Sequence, residues 1–149
     1  MLLEKRMPTD TEKLSLAKES LQKGELINCL QNLTALSDSP IIKQQAEATY
    51  QALQQQLSLA FFNINARRFS QLTLEEFLDF KNTLKKPNSS LMQWIDLFNE
   101  IMYFLRDNIL SSETPSQQKK SVRFWFDLML LAEAKNDFMT MTLIHGCLT

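Results

Sequence analysis

Gln71-Leu72-Thr73-Leu74-Glu75-Glu76-Phe77 is the stretch that decides the fold of this chain. Thr73 is followed three residues later by Glu76, which is the spacing of a capping box at the start of a helix. A second helix start stands at Asn136-Asp137-Phe138, ahead of the apolar segment Leu143–Leu148. Both segments predict helices whose first turns are fixed by local side chains.

Composition points to the same class of fold. The chain has 149 residues, of which 44% are hydrophobic and 22% are charged, as in an ordinary globular protein with a core. It holds only two glycines and four prolines, whereas a β-rich fold of this length needs more turn residues. We therefore predict an all-α fold, a single helical domain of about seven helices.

The net charge and the short apolar runs argue against nucleic acid and a membrane span. The formal net charge is -1 and the pI is about 5.9, so a general nucleic-acid binder is not expected, because phosphate contacts need a basic surface. The chain shows no basic-then-apolar leader and no apolar run long enough to span a membrane, and we expect a cytoplasmic protein. Cys29 and Cys147 lack metal-ligand spacing and are expected to be reduced thiols.

The chain divides into three ranges by pattern. Residues 1–8 carry no periodicity and are predicted to be a flexible tail. Residues 9–62 are predicted to form an N-terminal helical segment of three helices, the third from about Pro40 to Phe62. Asn63–Ser70 is predicted to be a break, and residues 66–149 the helical core.

Four helices are predicted in that core. The fourth begins after Thr73 and has an apolar side made by Phe77, Leu78, Phe80 and Leu84. The fifth, about Ser90 to Leu110, has a broad apolar face and is expected at the centre. The remaining two are a sixth from about Ser116 to Ala134, expected to be buried on several sides from Phe124 to Ala132, and a seventh capped by Asn136 or Asp137.

Three stretches in this order resemble the catalytic domain of Ras-family guanine nucleotide exchange factors of the son-of-sevenless type. Gln71–Phe80 reads QLTLEEFLDF and is similar to the family's QLTLLEFELF helix start. Phe98-Asn99, in a helix that ends Ile109-Leu110, is similar to the family's core helix with a central FN. Lys120–Leu148 resembles the family's basic helix start, NNF cap and IxxGL helix.

The resemblance implies that residues 66–149 are the N-terminal part of this catalytic domain. It also implies a Ras-family small GTPase as partner and promotion of GDP release as activity. The family's helical hairpin, which opens the nucleotide site of the GTPase, would lie beyond Thr149, and Lys85–Asn88 replaces a longer family connection. The alternative is a degenerate helical module that binds a partner protein, or a second copy, through an exposed apolar face without exchange activity.

The resemblance also names candidate GTPase-binding residues. The family's contacts with the second switch of the GTPase fall on Thr73 and Asn99 of this chain, with Ser70 less directly matched. Thr73 is also explained as a helix cap, and Asn99 as an ordinary polar residue on a helix. Both explanations remain open at the level of sequence.

No catalytic residue, metal or cofactor is expected. His145 is the only histidine and lies in an apolar helix, so a nucleophilic triad has little support. Glu75 and Glu76 are explained by the helix start. Nucleotide exchange needs a binding surface and no covalent step, which agrees with this absence.

Overall fold

The computed structural model describes residues 8–149, with every side chain except that of Phe77. Within this range every regular element is an α-helix, which confirms the all-α prediction. Of the predicted tail, residues 1–8, the first seven lie outside the described residues. The helices are α1 (Asp10–Gln22), α2 (Leu26–Thr34), α3 (Pro40–Ser70), α4 (Leu74–Leu78), α5 (Phe80–Thr83), α6 (Ser90–Leu110), α7 (Pro115–Ala134) and α8 (Phe138–Leu148).

The chain separates into two compact units, one ending at Leu57 and the other running from Ser58 to Thr149. The division falls within α3, close to the predicted boundary between the ranges 9–62 and 66–149. The sequence had suggested one domain with seven helices. The assignment of those ranges as domains stays a prediction.

In the first unit, α1 and α2 form a helical hairpin. Gly24 turns the chain with a φ of 75°, a left-handed conformation that suits glycine. The Asp10 carboxylate accepts hydrogen bonds from the Ser37 amide (3.2 Å) and hydroxyl (2.6 Å). Lys13 Nζ donates to the Ala35 carbonyl at 3.0 Å. The end of α2 is thereby tied to the start of α1, over a core that includes Leu14, Ala17, Cys29, Leu30 and Leu33.

Trp125 of α7 is the largest fully buried side chain of the second unit. Its ring meets Phe124 edge-on at a centroid distance of 5.1 Å and Phe61 of α3 at 6.4 Å. The indole Nε1 donates to Asn108 Oδ1 of α6 at 3.3 Å, so the polar end of the ring is satisfied. This one residue joins three helices.

A chain of buried polar side chains joins α3 to the start of α8. Asn65 Nδ2 donates to Thr140 Oγ1 at 3.1 Å, and Thr140 Oγ1 donates to Asp137 Oδ2 at 2.5 Å. Asp137 is the N-cap of α8 and accepts from the Thr140 amide at 3.2 Å. All three residues are buried, so each bond keeps a group from being left unpaired.

The predicted break at Asn63–Ser70 is wrong, because α3 continues to Ser70. The break was inferred from local residue types alone. In the structure Phe61 packs on Trp125, and the buried Asn65 bonds Thr140. These tertiary contacts stabilise two more turns of helix than local propensity predicts.

The predicted fourth helix is divided into α4 and α5 at Asp79, whose φ and ψ are -111° and 44°. Asp79 Oδ1 accepts from Asn82 Nδ2 at 2.9 Å, and its carbonyl accepts from the Thr83 hydroxyl at 2.9 Å. Asp79 is both the C-cap of α4 and the N-cap of α5, and aspartate has a low propensity for helix interiors and favours caps. The division explains why eight helices are described where about seven were predicted.

The structure confirms the predicted positions of the later helices. α6 has the predicted bounds, and Ser89 caps it by accepting from the Met92 amide at 3.2 Å. α7 begins at Pro115, one residue before the predicted start. Asp137 is the cap of α8, whereas Asn136 (φ 58°) ends α7 in the left-handed conformation.

Candidate functional site

The junction between α3 and α4 carries two of the predicted site residues. Ser70 is the last residue of α3, and its hydroxyl donates to the Arg67 carbonyl at 2.8 Å. Thr73 has an extended backbone and caps α4, with its hydroxyl accepting from the Glu76 amide at 3.3 Å. Both side chains are exposed, so each remains accessible to a partner.

Two hydrogen bonds hold this junction against the start of α6. The Glu76 carboxylate accepts from the Leu91 amide at 2.7 Å. Arg68 Nη1 donates to Gln93 Oε1 at 3.3 Å. Glu76 therefore places a negative charge at the N-terminus of α6, where unpaired amides favour an anion.

Asn99 lies on α6, exposed and without a hydrogen bond to any residue that the structure describes. It follows Leu91 by eight positions, which corresponds to about 12 Å of helix. The three predicted residues therefore lie along a surface and do not converge in a pocket. A surface of this extent suits a protein partner, since one side of a typical interface buries about 800 Å².

Around Asn99 the solvent side of α6 is acidic and aromatic. We define the α6 outer face as the exposed residues Asp96, Asn99, Glu100, Tyr103, Phe104 and Asp107. The Tyr103 side chain is 56% exposed, and the Arg106 guanidinium lies 5.8 Å from its ring centroid. These positions follow the spacing of one helical face.

The sequence analysis did not identify the other five members of this face. A signal was present, because these residues are among the α6 positions that remain once the apolar face is assigned. An acidic and aromatic surface can bind a partner that offers cations and apolar side chains.

The sequence profile of the RasGEF domain family matches residues 53–149, more than half of the chain. The chain belongs to the RasGEF domain family. The matched range contains Ser70, Thr73, Asn99 and the whole α6 outer face. No curated protein and no solved structure matches the chain. The RasGEF domain match begins within α3, thirteen residues before the range predicted from the sequence.

Groups with reactive chemistry do not gather at this surface. Within residues 8–149, no three or more His, Cys, Asp or Glu side chains are arranged to hold a metal ion. His145 is exposed on α8. Cys29 and Cys147 are buried, and burial raises both thiol pKa values, that of Cys29 to about 11. None of the described helices is long and apolar enough to cross a lipid bilayer.

The prediction that α7 is buried on several sides is wrong for part of that helix. Phe124, Trp125, Leu128 and Ala132 are buried, but Phe126 and Leu130 are exposed. Together with Val122 they follow a spacing of four residues, and we call these three the α7 stripe. The helix has one buried face, and the RasGEF domain thus presents a second, apolar surface.

A shallow cleft lies beside the end of α7. It has a volume of about 200 Å³ and is lined by Ser58, Leu59, Phe62, Lys135 and Asp137. Lys135 Nζ donates to Ser58 Oγ at 3.5 Å across it. Asp137 is already used as the cap of α8, so this cleft offers no unpaired acid for chemistry.

Proposed function

We propose that this RasGEF domain binds a Ras-family small GTPase and promotes release of its GDP, in the cytoplasm. The observation that carries the proposal is the family match over residues 53–149. The two unpaired thiols, Cys29 and Cys147, suit a reducing compartment. The exposed, helix-borne surface around Asn99 suits a protein partner.

The activity follows from binding energy alone. If the domain binds the nucleotide-free GTPase more tightly than the GDP-bound form, linkage requires that it weaken GDP binding by the same factor. A factor of 100 corresponds to about 2.7 kcal/mol of coupling. No nucleophile, acid–base pair or metal on this chain is needed for that step.

The proposed contact surface joins Thr73, Asn99 and Ser70 to the α6 outer face. Thr73 accepts a bond as the α4 cap, yet its hydroxyl can still donate to a partner. The Asn99 amide has both donor and acceptor capacity in reserve. Glu76 and Arg68 position the α3–α4 junction beside α6, so these side chains are presented on a fixed scaffold.

Release of fluorescent GDP from purified Ras-, Rap- and Ral-type GTPases tests the proposal. The full chain should accelerate release from at least one of them. It should also form a complex with that GTPase after nucleotide removal, and excess GDP should dissociate this complex. If release is unchanged for every GTPase and no nucleotide-free complex forms, the proposed function is wrong.

The second candidate is a RasGEF-like helical module that binds a protein without catalysing exchange. The observation that favours it is the exposed α7 stripe, Val122, Phe126 and Leu130. In that case the chain would bind a partner with the same affinity whether GDP is present or absent. Equal affinity for the loaded and nucleotide-free GTPase, with unaltered GDP release, would select this candidate.

A further inference from the structure

The α4–α5 segment exposes large apolar side chains to solvent. Leu74 is 73% exposed and Leu78 is 78% exposed, the two highest values among the large apolar residues of the described chain. Phe80 and Leu84 are also exposed. Leu78, Phe80 and Leu84 were predicted to belong to the apolar side of one helix. Because the chain divides at Asp79, the exposed apolar residues lie on two short helices and, for Leu84, at the cap that follows α5.

Three lysines accompany these apolar residues. Lys81, Lys85 and Lys86 are exposed, and none forms an ion pair with a residue that the structure describes. Residues 80–88 contain no acidic residue. The sequence FKNTLKKPN therefore combines cationic and apolar character within one short stretch.

The nearby carboxylates are mostly engaged in local hydrogen bonds. Glu76 is bonded to the Leu91 amide at 2.7 Å, and Asp79 to the Asn82 side chain at 2.9 Å. Of these three acids, Glu75 alone has a carboxylate with no hydrogen bond to a described residue. These carboxylates keep their negative charges, so residues 74–86 carry three acidic and three basic side chains, but all three lysines follow Asp79 and no acid lies among them.

The segment is also held in place. Glu76 connects α4 to the start of α6, and the Ser89 hydroxyl donates to the Thr83 carbonyl at 3.3 Å. Thr83 is the buried residue of α5. The exposed side chains therefore extend from an anchored backbone.

We propose that residues 74–86 bind the surface of an anionic lipid bilayer. Leu74, Leu78, Phe80 and Leu84 enter the boundary between headgroups and acyl chains, while the three lysines contact anionic headgroups. Both contributions are needed, because either a few apolar side chains or a few charges alone bind a membrane weakly. This inference does not rest on the proposed exchange activity.

A bilayer fits this surface better than an acidic protein does. The apolar side chains lie on two helices of five and four residues and at the cap after the second, so they form no continuous stripe for a helix or groove to match. A fluid bilayer adapts to such an arrangement. An acidic protein partner is the competing outcome of the test.

Co-sedimentation with lipid vesicles provides the test. The full chain is mixed with vesicles of phosphatidylcholine alone, or of phosphatidylcholine with phosphatidylserine, at low and high salt. The chain should sediment with the anionic vesicles, more strongly at low salt. If it stays in the supernatant with both lipids, the proposal is wrong.

Charge variants locate the binding surface. Replacement of Lys81, Lys85 and Lys86 by Glu should lower the vesicle affinity at least tenfold, since each lysine near an anionic surface contributes about a factor of five. A matched control replaces the exposed Lys18, Lys43 and Lys119 by Glu, which changes net charge equally at other places. An equal loss in the control would overturn the assignment to this segment.

An apolar variant separates a bilayer from an acidic protein. Leu74→Ser with Leu78→Ser removes two exposed side chains, so the fold is preserved and vesicle affinity should fall. Polyglutamate is then added as a competitor. If polyglutamate displaces the chain and the serine variant binds vesicles as strongly as the wild type, the surface is purely electrostatic and the proposal fails.

Discussion

The Glu76 carboxylate accepts a hydrogen bond from the Leu91 backbone amide at 2.7 Å, so an acid of α4 caps α6. The Thr-x-x-Glu spacing had predicted a local capping box. The threonine half is formed as predicted, because Thr73 accepts from the Glu76 amide. The carboxylate half instead connects two helices, through residues that are 15 positions apart in the chain. This contact holds the α3–α4 junction, and with it Thr73, beside α6.

Replacing Glu76 by Ala should lower the free energy of unfolding of the second unit by about 1–2 kcal/mol, because the Leu91 amide loses a charged acceptor. Trp94 and Trp125, the two tryptophans of the chain, both lie in this unit, so fluorescence-monitored urea unfolding reports on it. Glu75→Ala in the same turn is the control and should cost much less. Equal losses would assign the effect to first-turn charge and not to the Leu91 contact.

The buried hydrogen bonds among Asn65, Thr140 and Asp137 predict that one small substitution at Thr140 strongly lowers the stability of the second unit. Thr140→Val keeps the side-chain volume but removes the bonds to Asn65 and Asp137, leaving two buried polar groups short of partners. The free energy of unfolding should fall by about 2–4 kcal/mol. The same urea experiment measures it.

Thr142→Val is the matched control for that change. Thr142 lies two residues further along α8 and is exposed, and among the described residues its hydroxyl bonds only the Phe138 carbonyl of its own helix. Its replacement should change stability by less than about 0.5 kcal/mol. If both valine variants unfold at the same urea concentration, the hydrogen bonds from Asn65 to Thr140 and from Thr140 to Asp137 do not stabilise the contact between α3 and α8.

The Cys29 thiol should react slowly with thiol reagents in the folded chain. Burial raises its pKa from 9.0 to about 11, so at pH 8 its thiolate fraction is about a hundredfold below that of an ordinary thiol. With Cys147→Ala as background, a thiol reagent should therefore react far more slowly with the folded chain than with the chain in urea. A rate equal to that of the unfolded chain would contradict the burial.

The direction of the pH effect follows from the same pKa. The folded state retains the Cys29 proton between pH 9 and 11 while the unfolded state releases it, so stability is complete below pH 9 and falls as pH rises through this range. Cys29→Ala should reduce this fall relative to the wild type when unfolding of the helices is followed by circular dichroism. An unchanged pH profile in that variant would assign the alkaline loss to other groups.

Helix positions were predictable where caps and apolar spacing coincide. Ser89 and the apolar repeat after it define α6, and the structure confirms both of its bounds. The end of α3 was not predictable in this way. Asn65 stays helical because it bonds Thr140, which is 75 residues away, and local sequence carries no sign of that contact.

Exposure was harder to predict than helicity. Leu78 and Phe80 were assigned to the apolar side of one helix, but Asp79 ends that helix between them and both side chains are exposed. For the candidate site too, the sequence predicted one property and not the other. Thr73 and Asn99 were identified by resemblance, whereas their placement on an extended surface required the structure. Their contact with a GTPase stays a prediction.

The α6 outer face gives a prediction about association rate. Asp96, Glu100 and Asp107 are exposed on one side of this helix, and such a field steers a partner with basic residues toward it. Glu100→Lys should therefore slow association with the nucleotide-free GTPase by about threefold to tenfold at low salt, and the difference should shrink at high salt. Stopped-flow fluorescence at several salt concentrations measures both effects.

Glu133→Lys on α7 makes the same change in net charge on another exposed position and should leave the rate close to that of the wild type. Tyr103→Ala tests the apolar part of the face and should act on dissociation instead, because a desolvated aromatic contact stabilises the complex once it has formed. If Glu133→Lys slows association as much as Glu100→Lys, the rate depends on overall charge. In that case the charges of the α6 outer face do not steer the association with the GTPase.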